Sequence, residues 1–332
     1  MRKNILAFAA IAIMVLFGAC SKEEVTEIEP KETERTISLT ASMPEDDPAT
    51  RVTLTPDGLA IKLHWEVGDP IKIIFVQGAK TATQTGATVE SISDDRKKAY
   101  FTITLPNIHN MDYDKPIDVY GVYGGREIHA ANKTIRLPQQ DNSQLATLAA
   151  IKSDRDVTLY FHKEVSPPNS DVSVNFKHLG SLFCIHLKNS STLASNPFEN
   201  FDGARLVGVS GVSDWGYNTG TTAEYFNMET NTFLINQGLT NYIHIGTPVK
   251  GLSNGTSRDL WAWFPPLPNK VWPELKLELR AWTGSTVITT STNSKPAKTP
   301  VAGKVYHFYA VWDGTELKFV SKADFEGGDP AQ

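Results

Sequence analysis

Apolar residues recur at every second position through most of this chain, and that period constrains the fold more than any other feature. The clearest run is Leu275-Lys276-Leu277-Glu278-Leu279-Arg280. Ile37, Leu39 and Ala41 repeat the pattern, as do Leu59, Ile61, Leu63 and Trp65, then Phe101, Ile103 and Leu105, then Val157, Leu159 and Phe161, and then Val172, Val174 and Phe176. Successive side chains of a strand point to opposite faces, so each run sets one face on a core and the other in water. Ile71 to Val76 and Val305 to Trp312 are apolar or aromatic on both faces, which predicts inner strands. Turn residues fall between the runs, at Pro56-Asp57-Gly58, Asp94-Asp95 and Asp313-Gly314. An Asp-Gly step predicts a tight hairpin with positive φ at both central residues. Helical periodicity is scarce, and Asn142 to Ser153 is the stretch expected to form a short helix. Many short strands with frequent turns predict an all-β chain of β-sandwiches. A chain of 332 residues has room for two. The polar, proline-containing stretch from Asn189 to Gly203 reads as the divide, near Ser195. That gives sandwiches over 36–195 and 196–325 and a flexible tail over 326–332.

The N-terminus carries a different pattern. Arg2 and Lys3 precede an apolar run from Ile5 to Ala19, and small residues, Gly18 and Ala19, stand before Cys20. A basic start, a short apolar stretch and small residues describe a secretion signal, and the apolar part is short for a bilayer span. Gly-Ala-Cys resembles the lipobox of bacterial lipoproteins, which implies removal of residues 1–19 and a lipid on Cys20. Ser21, Lys22, Glu23 and Glu24 resemble the surface-export signal of lipoproteins in the Bacteroidetes-type envelope. Residues 20–35 are rich in Glu, Thr and Lys, have little to bury, and are expected to be a flexible tether. The outer membrane, through the lipid on Cys20, is thus an expected partner. The formal net charge of −5 becomes more acidic once Arg2 and Lys3 are lost, and no basic block exists, so nucleic acid is not an expected partner. With Cys20 lipidated, Cys184 has no cysteine to pair with, and its place in the apolar run Leu182 to Leu187 makes it a small core residue rather than a reactive or metal-binding thiol.

Chemistry is sparse. No GxSxG, phosphate-binding glycine loop, HExxH or paired CxxC occurs. The eight histidines are scattered; His178 and His186 lie on different expected strands, and His178 reads as a packed structural residue. No catalytic residue, cofactor or metal is expected, although a facing Asp/Glu pair of a hydrolase would need only spatial proximity. The stretch Leu260 to Trp272 holds Trp261, Trp263 and Trp272 around a Pro-Pro step. Flat rings of this kind either stack on sugars or fill a core. The core reading is favoured for Trp261 and Trp263, which share a face, whereas Trp272, before Pro273, is expected to be the more exposed.

Three elements carry a family resemblance. Thr50, Arg51 and Leu54, followed by Trp65, Gly68, Asp69 and Ile71, are similar to the opening of fimbrillin-family proteins; Phe176, His178 and Ser181 resemble a later element, and Ala302, Gly303 and Tyr306 a third. The resemblance implies two tandem transthyretin-like β-sandwiches and a cell-surface fimbrial (pilus) subunit or fimbria-associated adhesin. It implies transport as a lipoprotein, cleavage after an N-terminal arginine, loss of the first strand and its replacement by a strand from a neighbouring subunit. The expected partners are fimbrial subunits of the same or related type and a host or bacterial surface ligand. Thr36 to Ser42 would be the removable strand and Arg51 the cut site, with Arg35 as runner-up, although a cut there would leave the strand in place. A donor strand would come from Tyr306 to Trp312 or Thr315 to Ser321 rather than from the polar C-terminus. Two further readings stand beside this one: a non-polymerising surface glycan-binding lipoprotein, and the hydrolase.

Overall fold

The computed structural model describes residues 35–44, 64–105, 111–124, 127–137, 157–166, 171–193, 197–209, 215–217, 224–235, 238–246, 250–281 and 286–327. The signal, Cys20, most of the tether, Arg51, the turn at Pro56-Asp57-Gly58, the strand residues Leu59, Ile61 and Leu63, and the expected helix at Asn142 to Ser153 lie outside them. In chain order the first strands are β1 (Thr36–Ser42), β2 (Pro70–Gln77), β3 (Lys80–Thr88), β4 (Ser91–Ile92), β5 (Lys98–Thr104) and β6 (Ile117–Tyr123). Next come β7 (Ile128–His129), β8 (Thr134–Arg136), β9 (Leu159–Val165), β10 (Asp171–Asn175), β11 (Lys177–His178) and β12 (Ser181–Asn189). The remainder are β13 (Gly203–Gly208), β14 (Gly216–Tyr217), β15 (Tyr225–Asn227), β16 (Thr232–Leu234), β17 (Leu239–Thr240), β18 (Tyr242–Gly246), β19 (Ser257–Phe264), β20 (Leu275–Ala281), β21 (Thr286–Thr290), β22 (Val305–Trp312) and β23 (Leu317–Val320), followed by the helix α1 (Lys322–Glu326). The chain is all-β, as the period of two requires, and among the described residues no helix is long and apolar enough to cross a membrane.

Two sandwiches result. The first packs the sheet β10-β1-β5-β4 on the sheet β11-β9-β6-β2-β3, and the second packs β19-β12-β22-β23 on β18-β13-β20-β21. The first core takes Ile37, Leu39 and Ala41 from β1, Phe101 and Ile103 from β5, and Ile71, Ile73 and Phe75 from β2. The second takes Phe183, Ile185 and Leu187 from β12, Leu275, Leu277 and Leu279 from β20, and Tyr306, Phe308, Ala310 and Trp312 from β22. The strands that read as apolar on both faces, β2 and β22, are both inner strands.

Their second faces explain why. Ile74 and Val76 of β2, Tyr120 and Val122 of β6, Leu182 and Cys184 of β12, Trp261 and Trp263 of β19 and Val305 of β22 join in a third core, together with Ile135 and Phe226 of the small sheet β16-β15-β8-β7. That small sheet mixes strands from both halves of the sequence. Strands β2, β6, β12, β19 and β22 therefore each serve two cores through their alternate side chains. From Arg35 onward the chain is one compact unit.

Three expectations need correction. The changeover between sandwiches falls between β11 and β12, not near Ser195, because β12 pairs with β19 and β22 along its length. The polar stretch after Asn189 is an exit loop within the second sandwich, since a polar loop follows any strand and does not by itself end a domain. The Asp313-Gly314 turn is not a hairpin with two positive φ values: Gly314 alone takes one, at φ +104, while Asp313 Oδ1 accepts from the Thr315 and Glu316 amides at 2.9 and 3.0 Å and builds a longer turn. Of the expected flexible tail over 326–332, Glu326 and Gly327 are ordered instead, because Lys322–Glu326 form a helix with a capping box between Ser321 and Asp324 and a left-handed Gly327 at its end, while 328–332 lie outside the described residues.

Candidate functional site

β1 is the element on which an exchange function would turn. It lies between β10, to which it runs parallel (Ser38 opposite Asp171 through Ser42 opposite Asn175), and β5, antiparallel (Thr36 opposite Thr104 through Ser42 opposite Lys98). The pairing continues past both ends, where Leu105 donates its amide to the Arg35 carbonyl at 2.8 Å and Phe176 donates to the Ser42 carbonyl at 3.0 Å. Ile37, Leu39, Ala41 and Met43 are buried, while Ser38 and Thr36 face solvent. Burying Ile37, Leu39 and Met43 stabilises the fold by about 1.5–3 kcal/mol each. Without β1, the facing edges of β5 and β10 would have unpaired backbone groups beside an apolar slot lined by Phe101, Ile103, Val172 and Val174.

Arg35, the runner-up cut site, has its carbonyl in that ladder, and its guanidinium reaches Asp114 at 3.5 Å and lies 5.7 Å from the Tyr113 ring. A bond held in a sheet is a poor protease substrate. Arg51 belongs to the segment between β1 and β2, outside the described residues.

The described residues of the three elements of family resemblance meet in space. Trp65 is fully buried and packs edge-on against Phe176 at 5.4 Å. Behind it a tight turn uses Gly68 at φ +90 and the Asp69 carboxylate, which accepts from the Glu66 amide at 2.9 Å, to bring Ile71 into the core. Two residues after Phe176, His178 packs on Gly303: a Cβ there would lie 2.7 Å from the imidazole, and burial lowers the His178 pKa to about 4. Gly303 donates to the Gly180 carbonyl at 2.8 Å, and the neighbouring Val301 donates to the Tyr306 hydroxyl at 2.8 Å and accepts from Ser181 Oγ at 2.6 Å. These residues fasten the changeover between the sandwiches.

Trp261, Trp263 and Trp272 do not present a sugar platform. Trp263 and Trp261 are 1% and 8% exposed and sit in the third core, in line with the core reading. Trp272 is 3% exposed, against expectation. Its backbone bridges to Lys298 in both directions, which folds the strap carrying Pro273 over the end of the second core and sets the indole 4.6 Å from the Tyr306 ring.

On the solvent-ward continuation of the third core, the second sandwich gathers polar side chains that sequence reading left scattered. Cys184 and His186 are two apart on β12 and so share a face; across the ladders, Cys184 opposes His307 of β22 and His186 opposes Asp259 of β19. His186 Nδ1 lies 2.7 Å from Asp259 Oδ1, and His186 Nε2 lies 2.9 Å from His307 Nδ1 and 3.4 Å from Cys184 Sγ. Tyr309 stacks on His186 at 4.5 Å, and Phe325 of α1 lies 6.0 Å away. Burial, and secondarily Asp259, raises the Cys184 thiol pKa, as expected of a core thiol. The His–His meeting was hidden because it joins residues 121 positions apart.

Fold and site together define a class: a tandem β-sandwich protein whose first strand is an inner member of its sheet. The sequence profile of the Fimbrillin-like family matches residues 50–321, and the chain belongs to that family. Membership implies a surface location and a structural or adhesive role. No curated protein matches the chain. Among solved structures it is similar to a candidate cell adhesion protein from Bacteroides uniformis (14% identity, TM-score 0.46, covering 89% of this chain and 98% of that one). A candidate cell adhesion protein from Bacteroides ovatus matches at 13% identity and TM-score 0.49, over 86% of this chain and 95% of that one. A fimbrial assembly protein from Parabacteroides distasonis matches at 11% identity and TM-score 0.37, over 86% and 94%.

Proposed function

We propose that this protein is a fimbrial subunit or fimbria-associated adhesin, carried to the outer membrane surface as a lipoprotein on Cys20 and assembled by exchange of β1 after cleavage at Arg51. The observation that carries the reading is the seat of β1: an inner strand with its apolar face in the core, joined to the rest of the first sandwich through the segment that holds Arg51. Once Arg51 is cut, non-covalent contacts alone retain β1. A strand of another subunit with apolar residues at alternate positions would restore both the ladder hydrogen bonds and the core. The contact is head-to-tail and does not close on itself, so it extends into a filament. Support also comes from the family match, which begins beside Arg51 and leaves β1 outside.

The donor must be a strand that its own subunit can spare. β22 is an unsuitable one, because Tyr306, Phe308, Ala310 and Trp312 fill the second core from an inner position. β23 is an edge strand and could leave with less loss.

The test is limited trypsin-like digestion of the folded, delipidated chain. Release of the 20–51 fragment accompanied by a ladder of higher assemblies is expected. Cleaved protein that retains the fragment, or sheds it and stays monomeric at high concentration, would overturn the stalk-subunit form of the proposal.

A further inference from the structure

The geometry points to a transition-metal site on the outer face of the β12–β22 ladder, with Cys184, His186 and His307 as ligands of a zinc-class divalent ion and Asp259 as the residue that orients His186. The Cys184 sulfur, a His186 nitrogen and a His307 nitrogen all lie within 4.8 Å of one another. In a tetrahedral zinc site, with Zn–N near 2.0–2.1 Å and Zn–S near 2.3 Å, the ligand atoms are separated by about 3.3 Å (N to N) and about 3.6 Å (S to N). The observed separations at the shared corner, His186 Nε2, are 2.9 Å to His307 Nδ1 and 3.4 Å to Cys184 Sγ. Admitting an ion therefore requires shifts of a few tenths of an ångström at that corner, and a swing of the His307 ring closes the third edge.

The surroundings match what such a site needs. His186 Nδ1 is engaged with the Asp259 carboxylate at 2.7 Å, which fixes the proton on that nitrogen and leaves the Nε2 lone pair aimed at the other two donors. Carboxylate–histidine–metal chains use this arrangement to hold the ring and raise its basicity. The ligands come from two adjacent strands of a sheet, so their backbone positions are set by the ladder rather than by a loop. Asp259 is 41% exposed at its side chain and opens an entry path, while Tyr309 and Phe325 cover the rings. A donor set of one thiolate and two imidazoles selects zinc or copper over magnesium or calcium.

The proton balance is definite. The ion takes the thiolate, so the Cys184 proton leaves to solvent; His307 moves its proton from Nδ1 to Nε2 and stays neutral; His186 keeps its proton on Nδ1. One proton is released per ion bound.

The experiment uses the full mature chain, stripped with a chelator and titrated with Zn²⁺ and, as a spectroscopic probe, Co²⁺. Expected results are one equivalent of Zn²⁺ bound, one proton released to an indicator dye, a raised melting temperature, and a near-ultraviolet thiolate-to-cobalt absorption band with tetrahedral visible bands. Cys184→Ser should remove the near-ultraviolet band and weaken Zn²⁺ binding, while Asp259→Asn should weaken binding by about 10–100-fold without removing the band. If the unmodified chain gives no thiolate–cobalt band, or Zn²⁺ leaves its melting temperature unchanged, the cluster is a metal-free hydrogen-bonded chain and the inference fails. These readouts on the unmodified chain decide the matter even if Cys184→Ser does not fold.

Discussion

Two histidines withdrawn from water, the buried His244 and the partly buried His178, give the chain a defined acid sensitivity. Burial lowers the His178 pKa to about 4; burial, with Arg205 and Arg280 adding like charge, lowers that of His244 to about 3. Arg205 Nε donates to His244 Nδ1 at 2.9 Å, which requires the neutral ring. Both titrate near 6.5 when unfolded. Below that pH the unfolded chain binds protons that the folded one refuses, so stability rises with pH across the interval and is fully present above 6.5. It is lost as pH falls toward the folded values, with a slope of up to about 1.4 kcal/mol per pH unit for each histidine. The melting temperature should therefore drop between pH 6.5 and 4.5, before the carboxylates contribute. His244→Gln, which keeps an acceptor for Arg205 but cannot titrate, should remove part of that slope; an unchanged slope would refute the assignment. At this scale the sequence was partly legible. His178 was readable as packed because it sits in an apolar run, and the same logic placed Cys184 and the pair Trp261 and Trp263 in cores. The logic failed at Trp272, because the bridge to Lys298 that buries it joins two irregular segments with no periodic signature.

Strands β1 and β12 occupy equivalent seats, and the likeness is informative. Each opens its sandwich, lies inside its sheet, pairs parallel with a later strand (β10 or β22) and antiparallel with another (β5 or β19). The alternation in residues 36–42 was enough to locate β1, because one face is core and the other solvent. It could not reveal the inner position, since a period of two is the same for edge and inner strands. β12 was assigned to the wrong sandwich for a related reason: alternation fixes faces, not partners. The two strands differ in what they bury. β12 contributes to two cores, whereas β1 contributes to one, so β1 is the cheaper strand to release. Leu39, which opposes Phe101, should dominate its retention. Leu39→Ala is expected to cost about 2–5 kcal/mol and to speed departure of the 20–51 fragment from protein cut after Arg51, measured by size exclusion over time. Thr40→Ala, on the other face of the strand, should leave the rate nearly unchanged. Equal release rates for the two variants would show that β1 is not held by its core face.

At the scale of the whole molecule, the third core decides whether the two sandwiches behave as two beads or one. Polar linkers between sandwiches usually permit relative motion, and the sequence suggested such a divide at Asn189 to Gly203. The connection instead runs from Phe176 through His178 and Gly180 into β12 with no linker, and both flanking sheets turn apolar faces into a shared core. The apolar or aromatic residues on both faces of 71–76 and 305–312 were the visible trace of that arrangement; the sequence could not say that the second faces met each other. In the proposed filament, mechanical load would then cross packed side chains rather than a hinge. The prediction is cooperative unfolding: calorimetry of the chain should give one transition, with calorimetric and van't Hoff enthalpies that agree. Val122→Asp, which would place an unpaired carboxylate between β6 and the second sandwich, should lower the first sandwich's stability and split the transition in two. Two well-separated transitions in the unmodified chain would mean that the shared core does not couple the sandwiches, and that each carries its own stability.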